Sequence, residues 1–267
     1  LARGLGTRMR KLDDRAALAP DQAAVAATGL KAMIPVGRPF LDYVLSAVAD
    51  AGYRDVCLVI GPAHEAVRER YTRSVTPPPR RLRVHCTVQE RPLGTADALL
   101  AAEAWTEGGG ERFLVVNADN YYPVGVLAAL RELREPGLPA FGREALLADG
   151  QILPERIASF AVLDIGVDGY LRRIVEKPDE ATLAQFGTRA FVSMNCWLFT
   201  PEIYRACREV APSSRGELEL PLAVQHAVTG LGMRFKALPF HAGVLDLSSR
   251  GDVAAVAARL RGARVEL

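Results

Sequence analysis

Cysteine is scarce in this chain of 267 residues: Cys57, Cys86, Cys196 and Cys207 lie far apart, and no Cys-x-x-Cys spacing occurs. Each has apolar neighbours, which argues against a thiolate metal site and for reduced core residues of a cytoplasmic protein. An excess of charge of either sign is lacking too. The 33 Lys and Arg against 31 Asp and Glu leave +2, too even a balance for nucleic acid or an anionic membrane to be the expected partner. No apolar run reaches the roughly 18 residues of a membrane span. His64, His85, His226 and His241 show no metal-ligand spacing and no Ser or Cys nucleophile motif beside them, so a hydrolytic triad is not indicated. What is plentiful is core material. Hydrophobic residues make up 49% and charged residues 24%, which suits a globular α/β chain of one domain, with self-association left open.

Short apolar runs alternate with stretches of helical spacing, the mark of an α/β sheet. In Phe40 to Ala51, Leu41, Val44, Leu45 and Val48 share one helical face, and Gly52 ends the helix before the strand Asp55 to Ile60. Leu82, Val84, Cys86 and Val88 alternate as a strand, Thr95 is placed to cap a helix running to about Glu103, and Phe113 to Asn117 is a buried strand. After about Pro136 the texture becomes α+β. Ser159 to Leu163 and Leu171 to Val175 flank Asp168-Gly169 as a hairpin, and Phe191 to Phe199 reads as one further strand. Helices are expected from Pro201, over Glu219 to Val228 and over Val253 to Leu260. Thr76-Pro77-Pro78-Pro79 and Gly108-Gly109-Gly110 read as loops, not domain linkers.

The first residues carry the strongest chemical signal. Leu1 and Ala2 are the apolar end of a strand that passes into Arg3-Gly4-Leu5-Gly6-Thr7-Arg8. Glycines let backbone N–H groups converge on phosphate oxygens, and Arg8 adds a permanent, bidentate cation. The third glycine of a dinucleotide fingerprint and the Gly-Lys-Ser/Thr of a P-loop are both absent. Further on, the buried strand ending at Asn117 delivers Ala118-Asp119 at its carboxyl end, the edge where open α/β sheets bind ligands. An acidic group there is costly unless it meets a cation.

Together with five segments further along the chain, this glycine loop resembles the sugar-1-phosphate nucleotidylyltransferases, the pyrophosphorylases that make nucleotide sugars. Gly4, Gly6, Thr7 and Arg8, then Lys31-Ala32-Met33-Ile34-Pro35-Val36, match that family's opening signature. Gln89-Glu90-Arg91-Pro92-Leu93-Gly94-Thr95-Ala96 matches its base-reading segment, Asp119 and Asp246 its two metal carboxylates, and Glu176-Lys177-Pro178 its Glu-Lys-Pro. The resemblance implies a three-layer Rossmann-like α/β/α sandwich with a mixed central sheet, of the nucleotide-diphospho-sugar transferase type. About 1–135 would be its nucleotide half and 136–267 its sugar-phosphate half, with no appended β-helix because no hexapeptide repeat occurs after the catalytic region.

On the same resemblance, NTP and a sugar 1-phosphate are the partners and Mg²⁺ the cofactor, held by Asp119 and Asp246. Leu1, Gly4, Gly6, Thr7, Arg8, Gln89, Pro92, Gly94 and Thr95 would bind the nucleotide; Asn120, Ser159, Glu176, Lys177 and Asn195 the sugar phosphate; Arg8, Lys31 and Lys177 would be catalytic. Ser159 and Ser193-Met194-Asn195 depart from the usual sugar pocket, which leaves the sugar open, and a non-sugar phosphate acceptor is the alternative. So is a non-catalytic nucleotide-sugar-binding relative. A second departure is the 22 residues between Arg8 and Lys31. They are rich in Ala, Pro20 is expected to split them, and Gly29 to hinge them as a mobile lid over the triphosphate.

Overall fold

The structure, a computed structural model, describes residues 1–73, 80–106, 112–150, 152–157, 160–176, 178–179, 181, 185–186 and 190–267. The loops expected at Thr76 to Pro79 and Gly108 to Gly110, together with Ser159 and Lys177, lie outside the described residues.

The chain divides into two compact units. The first is assembled from three stretches, Leu1–Pro92, Asn117–Val124 and Leu245–Leu267, and the second from Leu93–Val116 and Gly125–Val244. The chain thus leaves the first unit twice and returns twice, and each return brings one of the two candidate metal carboxylates, Asp119 and then Asp246.

In the first unit β1 (Asp55–Ile60) and β2 (Arg83–Val88) pair in parallel, Asp55 opposite Arg83 and Ile60 opposite Val88. Beside β1, the Ala2 N–H donates to the Val59 carbonyl at 2.9 Å and the Ala118 N–H to the Leu1 carbonyl at 3.0 Å. The start of the chain is therefore threaded between β1 and the first return. Helix Phe40–Asp50 is buried along nearly all its length, and Met9, Ala26, Ile34, Phe40, Ile60, Leu247 and Val253 share one core. Within that core Asp42 is fully buried. Arg70 donates to it from Nε and Nη2 at 3.1 and 2.5 Å, and the Tyr71 hydroxyl at 2.6 Å. Burial first, then the Asp42 carboxylate, pushes the Tyr71 phenol up, so it remains a proton donor.

The insertion takes a different form from the one expected. Pro20 does not split a helix; it opens one, Pro20–Thr28, at the first turn, where its missing N–H costs nothing. Ala26 is fully buried, Leu18 and Val25 pack on the core, and Gln22 Nε2 donates to the Pro35 carbonyl at 2.7 Å. Gly29 ends the helix at φ 78°, where a Cβ would stand 2.5 Å from Arg10 Nε and 2.7 Å from the Leu5 carbonyl. It is a tight packing point, not the free hinge the sequence suggests.

The second unit holds a mixed seven-stranded sheet. With β3 (Phe113–Val115), β5 (Gly137–Gly142), β6 (Ala161–Ile165), β7 (Leu171–Val175), β8 (Phe191–Ser193), β9 (Trp197–Phe199) and β10 (Lys236–Phe240), the order is β3-β9-β5-β8-β6-β7, and β10 lies parallel to β5. The expected hairpin is β6 and β7, antiparallel with Val162 opposite Val175. The single strand expected over Phe191 to Phe199 is two. Asn195 between them sits at φ 54°, the sole positive φ outside glycine among the described residues, and that turn sends β8 to β5 and β6 but β9 to β3 and β5. Helices Ile203–Glu209 and Leu220–Thr229 cover part of the unit; the first starts two residues after Pro201, with Glu202 as its cap.

Candidate active site

Residues at the carboxyl ends of β1 and β2 and at the two returns form the candidate site of the first unit. The glycine loop is set by close backbone packing. Gly6 adopts φ 60°, and a Cβ there would lie 2.1 Å from the Gly29 carbonyl oxygen. No L side chain fits such a contact, so Gly6 and Gly29 hold the loop and the inserted helix together. Arg10 completes the junction, donating from Nε and Nη2 to the Thr28 carbonyl at 3.0 and 2.7 Å, where the helix has spare acceptors. Gly4, Thr7 and Arg8 are exposed, and Arg8 has no side-chain partner among the described residues.

Across the loop Lys31 reaches Asp119, with Nζ 2.8 Å from Oδ2 and side-chain exposures of 20% and 25%. Two-residue strands position the carboxylates: β4 (Asn120–Tyr121), which Asp119 immediately precedes, pairs antiparallel with β11 (Leu245–Asp246), Asp246 opposite Asn120, and the Leu247 N–H donates to the Asp119 carbonyl at 2.9 Å. Asp119 and Asp246 therefore occupy neighbouring positions on one ribbon.

The Asp246 carboxylate is buried and oriented. Ser248 Oγ donates to Oδ1 and Oδ2 at 3.0 and 2.8 Å, and Asn120 Nδ2 lies 3.4 Å from Oδ1. Sequence reasoning alone misses the role of Ser248. The signal available is Ser248-Ser249 four and three residues before Asp252. Asp252 Oδ2 accepts both serine N–H groups at 3.0 and 2.7 Å, a turn that starts helix Asp252–Leu260. Arg250, also unforeseen, is buried and donates from Nε to the Met9 carbonyl at 3.0 Å, which ties this turn to the helix after the glycine loop.

Gln89 is buried at the end of β2, its N–H donating to the Ile60 carbonyl at 2.9 Å, and Pro92 is exposed at the end of the stretch. These residues, with Leu1, Asn120, Lys31, Asp119 and Asp246, belong to the first unit.

In the second unit, Gly94 and Thr95 do something other than the sequence suggests. Gly94 has φ 123°, and a Cβ on it would lie 2.4 Å from the Leu218 carbonyl oxygen. A neighbouring backbone alone thus demands glycine. Gly94 is also the residue that caps helix Thr95–Leu100; Thr95 is its first residue and turns its hydroxyl outward, accepting the Leu220 N–H at 2.7 Å. That contact caps helix Leu220–Thr229 instead. The Leu218 N–H and carbonyl are taken by Leu93 and Ala96 at 2.7 and 2.8 Å. The Arg215 to Glu219 segment is thereby bound to the end of the base-reading match. Arg215 also pairs with Glu219 at 2.8 Å and feels the charge of Glu176, and its pKa is raised, chiefly by the Glu219 hydrogen bond. Asn195, in its left-handed turn, donates its N–H to Ser193 Oγ at 3.4 Å.

The charge and donor types suit a divalent cation and phosphates. Two carboxylates, Asp246 in β11 and Asp119 just before its partner strand, offer hard oxygen ligands, and no cluster of three or more His, Cys, Asp or Glu occurs among the described residues. That is the donor set of a Mg²⁺ site completed by substrate phosphates and water. No helix among the described residues is long and apolar enough to cross a membrane.

Comparison with known proteins bears on the family and the fold. A family model described as nucleotidyl transferase matches residues 25–236, most of the chain, beginning within the inserted helix and so after the glycine loop. A glucose-1-phosphate thymidylyltransferase of Streptomyces antibioticus is 31% identical over 235 residues, covering 85% of this chain and 56% of its own. The UTP–glucose-1-phosphate uridylyltransferase AglF of Haloferax volcanii is 26% identical over 225 residues, covering 84% of this chain and 80% of its own. Among solved structures, a UDP-glucose pyrophosphorylase in complex with UDP-glucose superposes with a TM-score of 0.73 over 98% of this chain and 97% of that one. At 18% identity this speaks for the fold, and it is the α/β sandwich with mixed sheet that the sequence resemblance implied. The chain spans about half the length of the Streptomyces relatives it matches. On the family match and the motifs together, the chain belongs to the nucleotidyl transferase family, in which its named relatives are sugar-1-phosphate nucleotidylyltransferases.

Proposed function

We propose that this chain joins an NTP to a sugar 1-phosphate, giving a nucleotide sugar and pyrophosphate in a Mg²⁺-dependent reaction. The observation that carries the reading is the cluster of Lys31, Asp119 and Asp246 beside the Gly4–Arg8 loop, built from the two returns of the chain. An oxygen of the sugar phosphate attacks the α-phosphorus, and the bond from that phosphorus to the bridging oxygen of the β-phosphate breaks. The attacking oxygen is already an anion, so no general base is required. What the protein must do is bring two anions together and neutralise charge on the departing pyrophosphate.

The chain supplies cations for that purpose. Arg8, exposed on the loop and without a side-chain partner among the described residues, would bind the triphosphate, and Lys31 is held by Asp119. The family resemblance assigns Lys177 to the phosphates being joined and Glu176 and Asn195 to the sugar. Asp119 and Asp246 would hold Mg²⁺, which would supply Lewis-acid neutralisation of phosphate charge. Gln89 and the turn through Gly94 serve the base. The activities named for the relatives favour a thymidylyl or uridylyl donor and glucose 1-phosphate as the first substrates to try.

The test is mass spectrometry of products from each NTP and dTTP offered with a mixture of sugar 1-phosphates, phosphocholine and polyol phosphates. A mass equal to one NDP-sugar, with pyrophosphate released in equal amount, is the expected result. Product only with a non-sugar phosphate overturns the acceptor class, and NTP or NDP-sugar binding without turnover overturns the activity.

A further inference from the structure

Arg3 is unaccounted for by the phosphate chemistry of the loop it introduces. Its side chain runs away from Lys31 and Asp119, across the end of β1 to the end of β2. A Cβ on Gly61 would lie 3.0 Å from Arg3 Nε and 3.4 Å from Cγ, so the stem lies flat on the Gly61 backbone, and Nη2 donates to the Glu90 carbonyl at 3.2 Å. Glu90 directly follows the buried Gln89. The remaining nitrogen, Nη1, is buried and has no hydrogen-bond partner among the described residues.

Nearby groups do not supply an acceptor. The Glu90 carbonyl is engaged by Nη2, and His64 Nδ1 accepts the Gly61 N–H at 3.2 Å. Burial, then the charges of Arg3 and Arg10, lowers the His64 pKa, which keeps that ring nitrogen available as the acceptor for Gly61. A buried guanidinium N–H left unpaired is costly, and native structures satisfy nearly all such groups with a partner, water or ligand. A guanidinium only donates, so the missing partner is an acceptor.

We infer that Arg3 is a specificity-determining residue of the nucleotide site: Nη1 donates to a carbonyl oxygen of the base, and a nucleotide with an oxo base is thereby taken in preference to ATP. This rests on the nucleotide-binding reading above. A carbonyl oxygen projects from the ring edge toward a donor, whereas adenine has no carbonyl and projects an amino donor there. Phosphate on Lys31 is the less suitable partner, because residues 1–2 lie between Val59 of β1 and Ala118, which leaves Lys31, on Asp119, beyond them from Gly61 and Glu90.

Calorimetric titration of the full chain with UTP, dTTP, GTP and ATP, together with turnover on the same nucleotides, tests this. The wild-type protein is expected to bind its best oxo-base nucleotide at least tenfold tighter than ATP. Arg3→Met keeps the stem on Gly61 and removes the donors. It should weaken that nucleotide about tenfold, leave ATP binding unchanged and leave kcat at saturating nucleotide and the acceptor KM within threefold. If Arg3→Met melts early, Arg3→Lys takes its place; one ammonium cannot span the Glu90 carbonyl and a base, so the same loss of selectivity is expected. Unchanged selectivity, an equal loss for ATP, or a wild-type preference for ATP each overturns the role of Arg3. A wild-type protein that makes no nucleotide sugar from any NTP removes the underlying reading as well, whereas an active one with indifferent Arg3 variants removes this inference alone.

Discussion

Lys31 and Asp119 are 88 residues apart in sequence and meet as an ion pair of 2.8 Å on the first return of the chain. On the function proposed above, Asp119 turns to the cation and Lys31 to the triphosphate when substrate binds. Asp119→Asn is expected to lower turnover at least a hundredfold at saturating Mg²⁺, and Lys31→Met to lower kcat/KM for NTP about ten- to a hundredfold. Since the pair is partly solvated, it contributes at most about 1 kcal/mol to stability. Melting temperatures within a few degrees of the wild type, measured beside the kinetics, separate the two effects.

Ser248 touches Asp246, not the ligand, so its loss should appear in metal dependence. Ser248→Ala removes the donor that reaches both oxygens of the carboxylate. The Mg²⁺ concentration for half-maximal activity should rise about tenfold, with kcat at saturating metal little changed. An unchanged metal titration would count against Asp246 as a ligand.

At Gly29 the backbone has no room for a side chain, with Arg10 and the Leu5 carbonyl both closer than 3 Å to where a Cβ would lie. Gly29→Ala should therefore cost about 2–3 kcal/mol and loosen the glycine loop through Gly6. Hydrogen exchange over residues 12–30 reads both. The wild type is expected to show protection over Pro20–Thr28 without nucleotide, because Ala26 and Gln22 anchor that helix, and the variant to lose it.

Removing Arg70 leaves the Asp42 carboxylate buried with the Tyr71 hydroxyl as its remaining side-chain donor. Arg70→Ala should destabilise the chain by about 2–3 kcal/mol, less than for a fully buried pair because the Arg70 side chain is partly in water. Chemical denaturation measures this, and catalytic constants below the transition should stay near those of the wild type.

The elements with a clear period are legible from sequence. Asp55 to Ile60 is the strand it reads as, and Phe40–Asp50 the helix, because alternation and the 3.6-residue stripe are local properties. The break at Asn195 and the cap at Gly94 are not legible. Each depends on a distant partner: which strands β8 and β9 join, and where the Leu218 backbone passes.

The residue types of the candidate site, a glycine loop with Arg8, a lysine and two strand-end carboxylates, were determined by the sequence alone, since each chemistry admits few side chains. Their assembly was decided only in three dimensions. Lys31 meets Asp119 and Asn120 lies opposite Asp246 because the chain twice returns to the first unit and pairs β4 with β11, and Arg3 lies on Gly61 where the start of the chain runs beside β1. Such contacts join residues of large sequence separation through backbone hydrogen bonding and close packing, which no local pattern encodes.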